Sequence, residues 1–143
     1  MPPIEIETAD RIIEFDIDFN KVYEQINKYN YYVYEAGKNL KNRPYMSEEY
    51  KHELNWLNTN KYCKEFWKLK RKMYITILNE NFYKLPSFKQ QFSTILSNSL
   101  EAYENALELG DIDEGRYLLY VNCVKKAYDE VNTIIDALEE VKE

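Results

Sequence analysis

The stretch from residue 117 to residue 138, YLLYVNCVKKAYDEVNTIIDAL, decides the fold because its apolar residues recur with the period of an α-helix. Alternating intervals of four and three residues separate Tyr117, Val121, Val124, Tyr128, Val131, Ile135 and Leu138. This spacing places a single apolar stripe along one side of a helix over about three heptads. The stretch therefore predicts a long amphipathic helix that buries the stripe against other helices.

A second stretch with the same spacing lies near the start of the chain. Its apolar positions are Phe19, Val22, Ile26, Tyr29, Val33, Ala36 and Leu40. Asp18 is suited to cap the N-terminus of this helix, and Pro44 ends it because the residue before a proline is steered out of the helical region. We predict a helix over about 19–41.

The middle of the chain predicts two or three further helices. Ser47 can cap a helix that carries Glu48 and Glu49 in its first turn, where negative charge suits the helix dipole. Whether 48–82 is one helix, or two helices at about 48–58 and 60–82, stays open at this point. Pro86 precedes another helix at about 87–109, which Gly110 ends, and the last helix covers about 112–141.

The first residues follow a different rule. Apolar and acidic residues alternate strictly from residue 13 to residue 19 and again from residue 4 to residue 7, as in a strand with one apolar face. We therefore predict an all-α antiparallel bundle of four to five helices in one domain, 19–143, preceded by an acidic extended or β-hairpin arm at about 4–17, within residues 1–18. The sequence leaves open whether the arm packs on its own bundle or pairs with another chain.

Composition and charge limit the setting in which the chain works. No run of about 18 apolar residues is present, and the first residues lack the features of a secretory signal, so we expect a cytoplasmic protein without a membrane span. Residues 1–18 carry six acids and one base, residues 19–100 seven acids and fourteen bases, and residues 101–143 twelve acids and four bases. The abundance of Lys, Asn, Ile and Tyr is typical of AT-rich coding DNA, which indicates a low-GC bacterium, its phage, another virus or an AT-rich eukaryote, with a phage- or virus-encoded protein as one option.

Motifs for catalysis fail specific tests. Glu49 and His52 have the spacing of a di-iron bundle pair, but His52 is the only histidine in the chain. Cys63 and Cys123 match no metal-binding spacing, and we expect reduced thiols, with a disulfide as the open alternative. The sequence therefore favours a non-enzymatic protein without a metal or cofactor. One enzymatic alternative is a magnesium-dependent nucleotide hydrolase that uses Glu101, Glu104, Asp129 and Glu130.

Two surfaces are candidates for binding a partner. The first is a basic stripe, defined as Lys61, Lys64, Lys68 and Lys72 with Arg71 on its flank, which suits an acidic protein or the phosphates of a nucleic acid. The pI near 5.0 disfavours nucleic acid. The second surface comprises aromatic and arm residues, namely Tyr31, Tyr32, Tyr34, Phe15 and Ile17.

These patterns lead to one hypothesis and one main alternative. The hypothesis is a protein-binding, assembly or regulatory helical bundle that associates with a protein partner, including a second copy of itself as a homodimer. The alternative is a nucleic-acid-associated regulator that uses the helix at 61–72.

Overall fold

The computed structural model describes residues 3–142, with side chains for residues 3–140, and confirms the all-α bundle with an N-terminal β-hairpin. Each long helix packs mainly on its neighbour in the sequence, and the short loops make successive helices run antiparallel. The elements are strands β1 (Ile4–Glu7) and β2 (Ile12–Phe15), helices α1 (Phe19–Lys41) and α2 (Glu48–Leu78), a 3-10 turn (Phe82–Lys84), and helices α3 (Leu85–Glu108) and α4 (Glu114–Lys142).

Side chains and backbone conformation fix the ends of the helices where the sequence places them. The Asp18 carboxylate accepts a hydrogen bond of 3.0 Å from the backbone N–H of Lys21, and the Ser47 hydroxyl accepts one of 3.1 Å from that of Tyr50. Gly110 follows α3 with a φ of 79°, a left-handed conformation that a glycine adopts without steric cost. The predicted caps Asp18, Ser47 and Gly110 are therefore confirmed.

Helix α2 answers the question that the sequence leaves open, because it runs without interruption from Glu48 to Leu78. Thr59 donates a 2.8 Å hydrogen bond to the carbonyl of Asn55, and Asn60 donates one of 3.0 Å to the carbonyl of Trp56. These side chains bond back onto the preceding turn of the same helix, so they do not break it. The helix ends before residue 82 because Glu80 takes a positive φ of 59°.

The arm packs on its own bundle. Its strands pair antiparallel with Ile6 opposite Ile13, and the apolar face points inward, so that Ile6, Phe15 and Ile17 are buried. The Phe15 ring stacks on Tyr74 of α2 with centroids 6.5 Å apart, and β1 contacts α4. The arm therefore contributes to the same core as the helices.

The core is complete at one end of the bundle and partial at the other. In α4 the predicted stripe is fully buried from Tyr128 to Leu138, whereas Tyr117, Val121 and Val124 are only half-buried. Within residues 3–142, none of the helices combines the length and apolar character that crossing a bilayer requires. The partly covered end of α4 borders the candidate site.

Candidate functional site

A groove in the part of the chain that the structure describes is lined by side chains of all four helices. Its volume is about 510 Å³, within the usual size of ligand pockets. Nine of its lining residues are aromatic, and we call the site the aromatic groove. These aromatic residues are Tyr29, Tyr32, Trp56, Tyr62, Phe66, Trp67, Tyr103, Tyr120 and Tyr128.

The order of the helices creates the groove. Because α1 packs on α2 and α4 packs on α3, helices α2 and α3 lie between α1 and α4, and side chains of all four line the groove. Beyond Trp67, residues of the arm, α1, α2 and α4 line a second cavity of about 560 Å³. The groove thus lies on the side of Trp67 away from the arm.

Aromatic contacts position the rings at the base of the groove. Phe66 of α2 lies 4.9 Å from Tyr128 of α4, centroid to centroid, and Phe92 of α3 lies 5.9 Å from the same tyrosine. Tyr128 is only 3% exposed, and its hydroxyl has no hydrogen-bond partner among the residues that the structure describes. A buried hydroxyl without a partner is costly, so this phenol gains stability if a bound molecule or a small shift of the neighbouring Ser99 side chain supplies one.

The polar groups around Tyr128 remain uncharged near neutral pH. Burial raises the pKa of the Cys63 thiol, although the hydroxyls of Tyr103 and Tyr29 stabilise its thiolate in part. Burial also raises the pKa of Tyr29 to about 12 and raises the pKa of Tyr103 and of Tyr128. The base of the groove therefore presents neutral phenols and a neutral thiol.

Lys28 is the only Asp, Glu, Lys, Arg or His among the residues that line the groove. Its ammonium lies 5.3 Å from the ring centroid of Tyr29 and 6.0 Å from that of Tyr32, which are cation–π distances. No carboxylate from residue 3 to residue 140 forms an ion pair with it. The wall formed by α1 thus carries one cation over an aromatic surface.

The structure separates the aromatic and arm residues that the sequence groups together. Tyr32 lines the groove, while Tyr31 and Tyr34 are 59% and 67% exposed outside it. Phe15 and Ile17 lie in the core of the same chain. Their role in binding a partner stays a prediction for Tyr31, Tyr32 and Tyr34, and for Phe15 and Ile17 it would require the arm to leave its present position.

The basic stripe lies on the outer side of α2, away from the groove. Lys61, Lys68 and Lys72 are exposed, whereas Lys64 is half-buried and Arg71 lies over the ring of Tyr23 at 5.8 Å. None of the four lysines is paired with an acid in the described part of the chain. Three lysines of the stripe therefore face solvent, while Lys64 and Arg71 are partly buried.

The histidine, the cysteines and the acidic residues do not form a common catalytic or metal-binding cluster in the described part of the chain. His52 shares a 2.6 Å hydrogen bond with Asp111, which ties the start of α2 to the loop between α3 and α4. Across residues 3–142, no three His, Cys, Asp or Glu side chains form a group that could hold a metal ion, and this includes the acids of α3 and α4. Cys63 and Cys123 are free thiols, and both line the groove.

The sequence contains a pattern that indicates the groove, but the more regular apolar stripes that form the core are easier to recognise. Trp56, Asn60, Cys63 and Trp67 recur along α2 at intervals of four, three and four, which is a second stripe beside the core stripe. Tyr103 and Tyr120, from α3 and α4, become neighbours only in the folded bundle, with centroids 5.4 Å apart. No protein-family model, curated protein or solved structure matches this chain significantly.

Proposed function

We propose that this chain is a non-enzymatic protein-binding module whose aromatic groove receives an apolar segment of a protein partner. The observation that carries the proposal is the concentration of nine aromatic side chains around one open groove. Aromatic residues dominate the energetics of protein interfaces because they offer a large contact area at low conformational cost. The two free thiols fit a protein that works in the reducing cytoplasm.

The shape of the site favours an amphipathic helix as the bound segment. Side chains of all four helices line the groove, and a partner helix binds a groove of this kind by inserting apolar anchors at intervals of three and four residues. Leu119 is 58% exposed and lies one turn before Cys123 on the wall formed by α4. This leucine extends the apolar surface beyond the groove.

Cys123 allows a direct test because it is exposed and lines the groove. A photoreactive maleimide on Cys123 should crosslink a discrete protein in extracts of the native host. A matched control places the same reagent on the outer face of α2 in a Cys123→Ser, Lys61→Cys variant. The captured protein must then bind purified wild-type chain and lose affinity at least tenfold for Cys123→Trp, which fills the groove mouth. Equal binding to both forms would contradict the proposal.

A second copy of the chain is the second candidate partner. The observation that favours it is a set of exposed apolar and aromatic side chains at the same end of the bundle: Leu118, Leu119, Tyr31 and Tyr34 are 53%, 58%, 59% and 67% exposed. Light scattering distinguishes the two partners, since a homodimer has twice the chain mass of 17.3 kDa. A dimer that Cys123→Trp dissociates would make the second copy the occupant of the groove, and a monomer at every concentration would contradict self-association.

Nucleic-acid binding is the alternative that the outer face of α2 supports. The exposed, unpaired Lys61, Lys68 and Lys72 could follow a phosphate backbone. Such binding would weaken steeply with added salt and would be lost on replacing Lys64 and Lys68 by glutamate. Retention of all nucleic-acid binding by that double variant would contradict this alternative.

A further inference from the structure

We infer that the aromatic groove selects an apolar group that carries a negative charge beside it, so that the partner's anchor is an aromatic or aliphatic side chain with a carboxylate close to it. This inference rests on the proposed function and adds the charge of the bound segment. It follows from two features of the groove, its single cation and its unpartnered buried hydroxyl, which lie at the mouth and at the base.

The charge distribution of the groove differs from that of the chain. The whole protein carries a formal net charge of −6. Among the residues that line the groove, however, Lys28 is the only Asp, Glu, Lys, Arg or His. Within the described residues, no acid is paired with Lys28. An anion that enters the groove therefore meets one uncompensated cation and is not repelled by any lining carboxylate.

The base of the groove adds the Tyr128 hydroxyl, a hydrogen-bond donor that also favours an anion. The Tyr128 hydroxyl is buried without a partner, and Cys63, Ser99 and Tyr103 line the groove around it. Because burial keeps the neighbouring phenols protonated, they add no negative charge that would oppose an anion. The aromatic walls bind the apolar body of the ligand, and the Lys28 ammonium and the Tyr128 hydroxyl favour an anionic group beside that body.

A pair of fluorescent probes tests the charge preference without knowledge of the partner. Anilinonaphthalene sulfonate and N-phenylnaphthylamine share an aromatic body, and only the first carries an anionic group. We expect the sulfonate to bind with a stoichiometry of one per chain. Replacing Lys28 by glutamine should weaken the sulfonate about fivefold, as expected for an ion pair at an open site, and leave the neutral probe unchanged.

Two variants locate the effect. Lys38→Gln removes an exposed lysine of the same helix that does not line the groove and should change neither probe. Cys123→Trp should weaken both probes, and circular dichroism confirms that each variant remains helical. If Cys123→Trp disturbs the fold, the folded wild-type protein can be alkylated at Cys123 with a bulky thiol reagent, which fills the same space.

The outcomes separate the inference from the proposed function. If both probes bind the groove with equal affinity and Lys28→Gln weakens neither, the charge preference is wrong while the groove remains a binding site. If filling the groove weakens neither probe, the groove binds no apolar group and both proposals fail. A larger loss for the sulfonate than for the neutral probe in Lys28→Gln, absent in Lys38→Gln, supports the inference.

Discussion

Tyr128 combines two roles that usually conflict, because its ring completes the core while its hydroxyl is buried without a partner. The ring packs against Phe66 and Phe92. A hydroxyl in the unfolded chain is hydrated, so burying it unpaired lowers the free energy of unfolding. The Tyr128 hydroxyl therefore lowers the free energy of unfolding at the position where it could donate to a molecule bound in the groove.

Replacing Tyr128 by phenylalanine should raise the free energy of unfolding by about 1 kcal/mol, because the ring contacts remain and the unpaired hydroxyl is removed. Urea denaturation followed by circular dichroism measures the change. The control is Tyr128→Ala, which leaves a cavity and should lower the free energy of unfolding by roughly 4 kcal/mol. A clear loss of stability in the phenylalanine variant would show that the hydroxyl has a partner in the folded protein.

The two thiols should differ in reactivity. Cys123 is exposed, whereas burial raises the pKa of Cys63 and lowers its thiolate fraction at neutral pH. We expect a thiol reagent to modify one cysteine of the native protein rapidly and the second only slowly, with mass spectrometry assigning the fast site to Cys123. In denaturant the two rates should become similar. Faster modification of Cys63 in the native protein would contradict its burial.

At the scale of the helix, the sequence predicts which helices are present better than it predicts where each one begins and ends. The apolar stripes of α1 and α4 identify both helices, because the residues of each stripe lie on one side of the helix throughout. Helix α2 is continuous through Asn55 and Thr59, where the Thr59 hydroxyl donates to the Asn55 carbonyl and the Asn55 side chain donates a 3.2 Å hydrogen bond to the carbonyl of Ala102 in α3. A tertiary contact of this kind leaves no periodic trace in the sequence.

The junction between α2 and the loop after α3 depends on one polar pair. The His52–Asp111 and Lys89–Asp136 pairs have the same 2.6 Å separation, but the first is less exposed, with side chains at 33% and 15% against 41% and 44%. A double-mutant cycle with alanine should therefore give a coupling of about 1 kcal/mol for His52 with Asp111. The corresponding cycle for Lys89 with Asp136 should give about 0.5 kcal/mol or less. The reverse order would contradict the importance of burial at this junction.

For the molecule as a whole, the sequence predicts the bundle and the arm but not the groove. The seams and caps are local patterns, so they can be recognised before the fold is known. The groove brings together residues from four helices, and its shape depends on α1 and α4 packing on different neighbours. The binding residues predicted from charge and aromatic content include only Tyr32 among those that line it.

Alkaline pH should unfold the protein cooperatively. Burial raises the pKa of Tyr29 from 10.0 to about 12 and raises that of Tyr74, Tyr103 and Tyr128. Because these pKa values are higher in the folded than in the unfolded state, the protonated groups favour folding below pH 10, and this contribution is lost as pH rises above it.

Phenolate absorbance measures this effect directly. Tyr29, Tyr74, Tyr103 and Tyr128 should ionise only together with the loss of helical circular dichroism. In denaturant all 14 tyrosines should titrate in one step. Complete ionisation of the tyrosines while the helices remain intact would contradict the raised pKa of these four.

The packing of β1 on α4 joins the first strand of the chain to its last helix. Most other contacts between elements form between neighbours in the sequence and can therefore develop during synthesis on the ribosome. Phe15 of the arm can stack on Tyr74 once α2 has formed, but the surface on which β1 packs is incomplete until α4 has emerged. Part of the apolar face of the arm therefore stays uncovered until then, and the acidic residues on the other face favour its solubility during that interval.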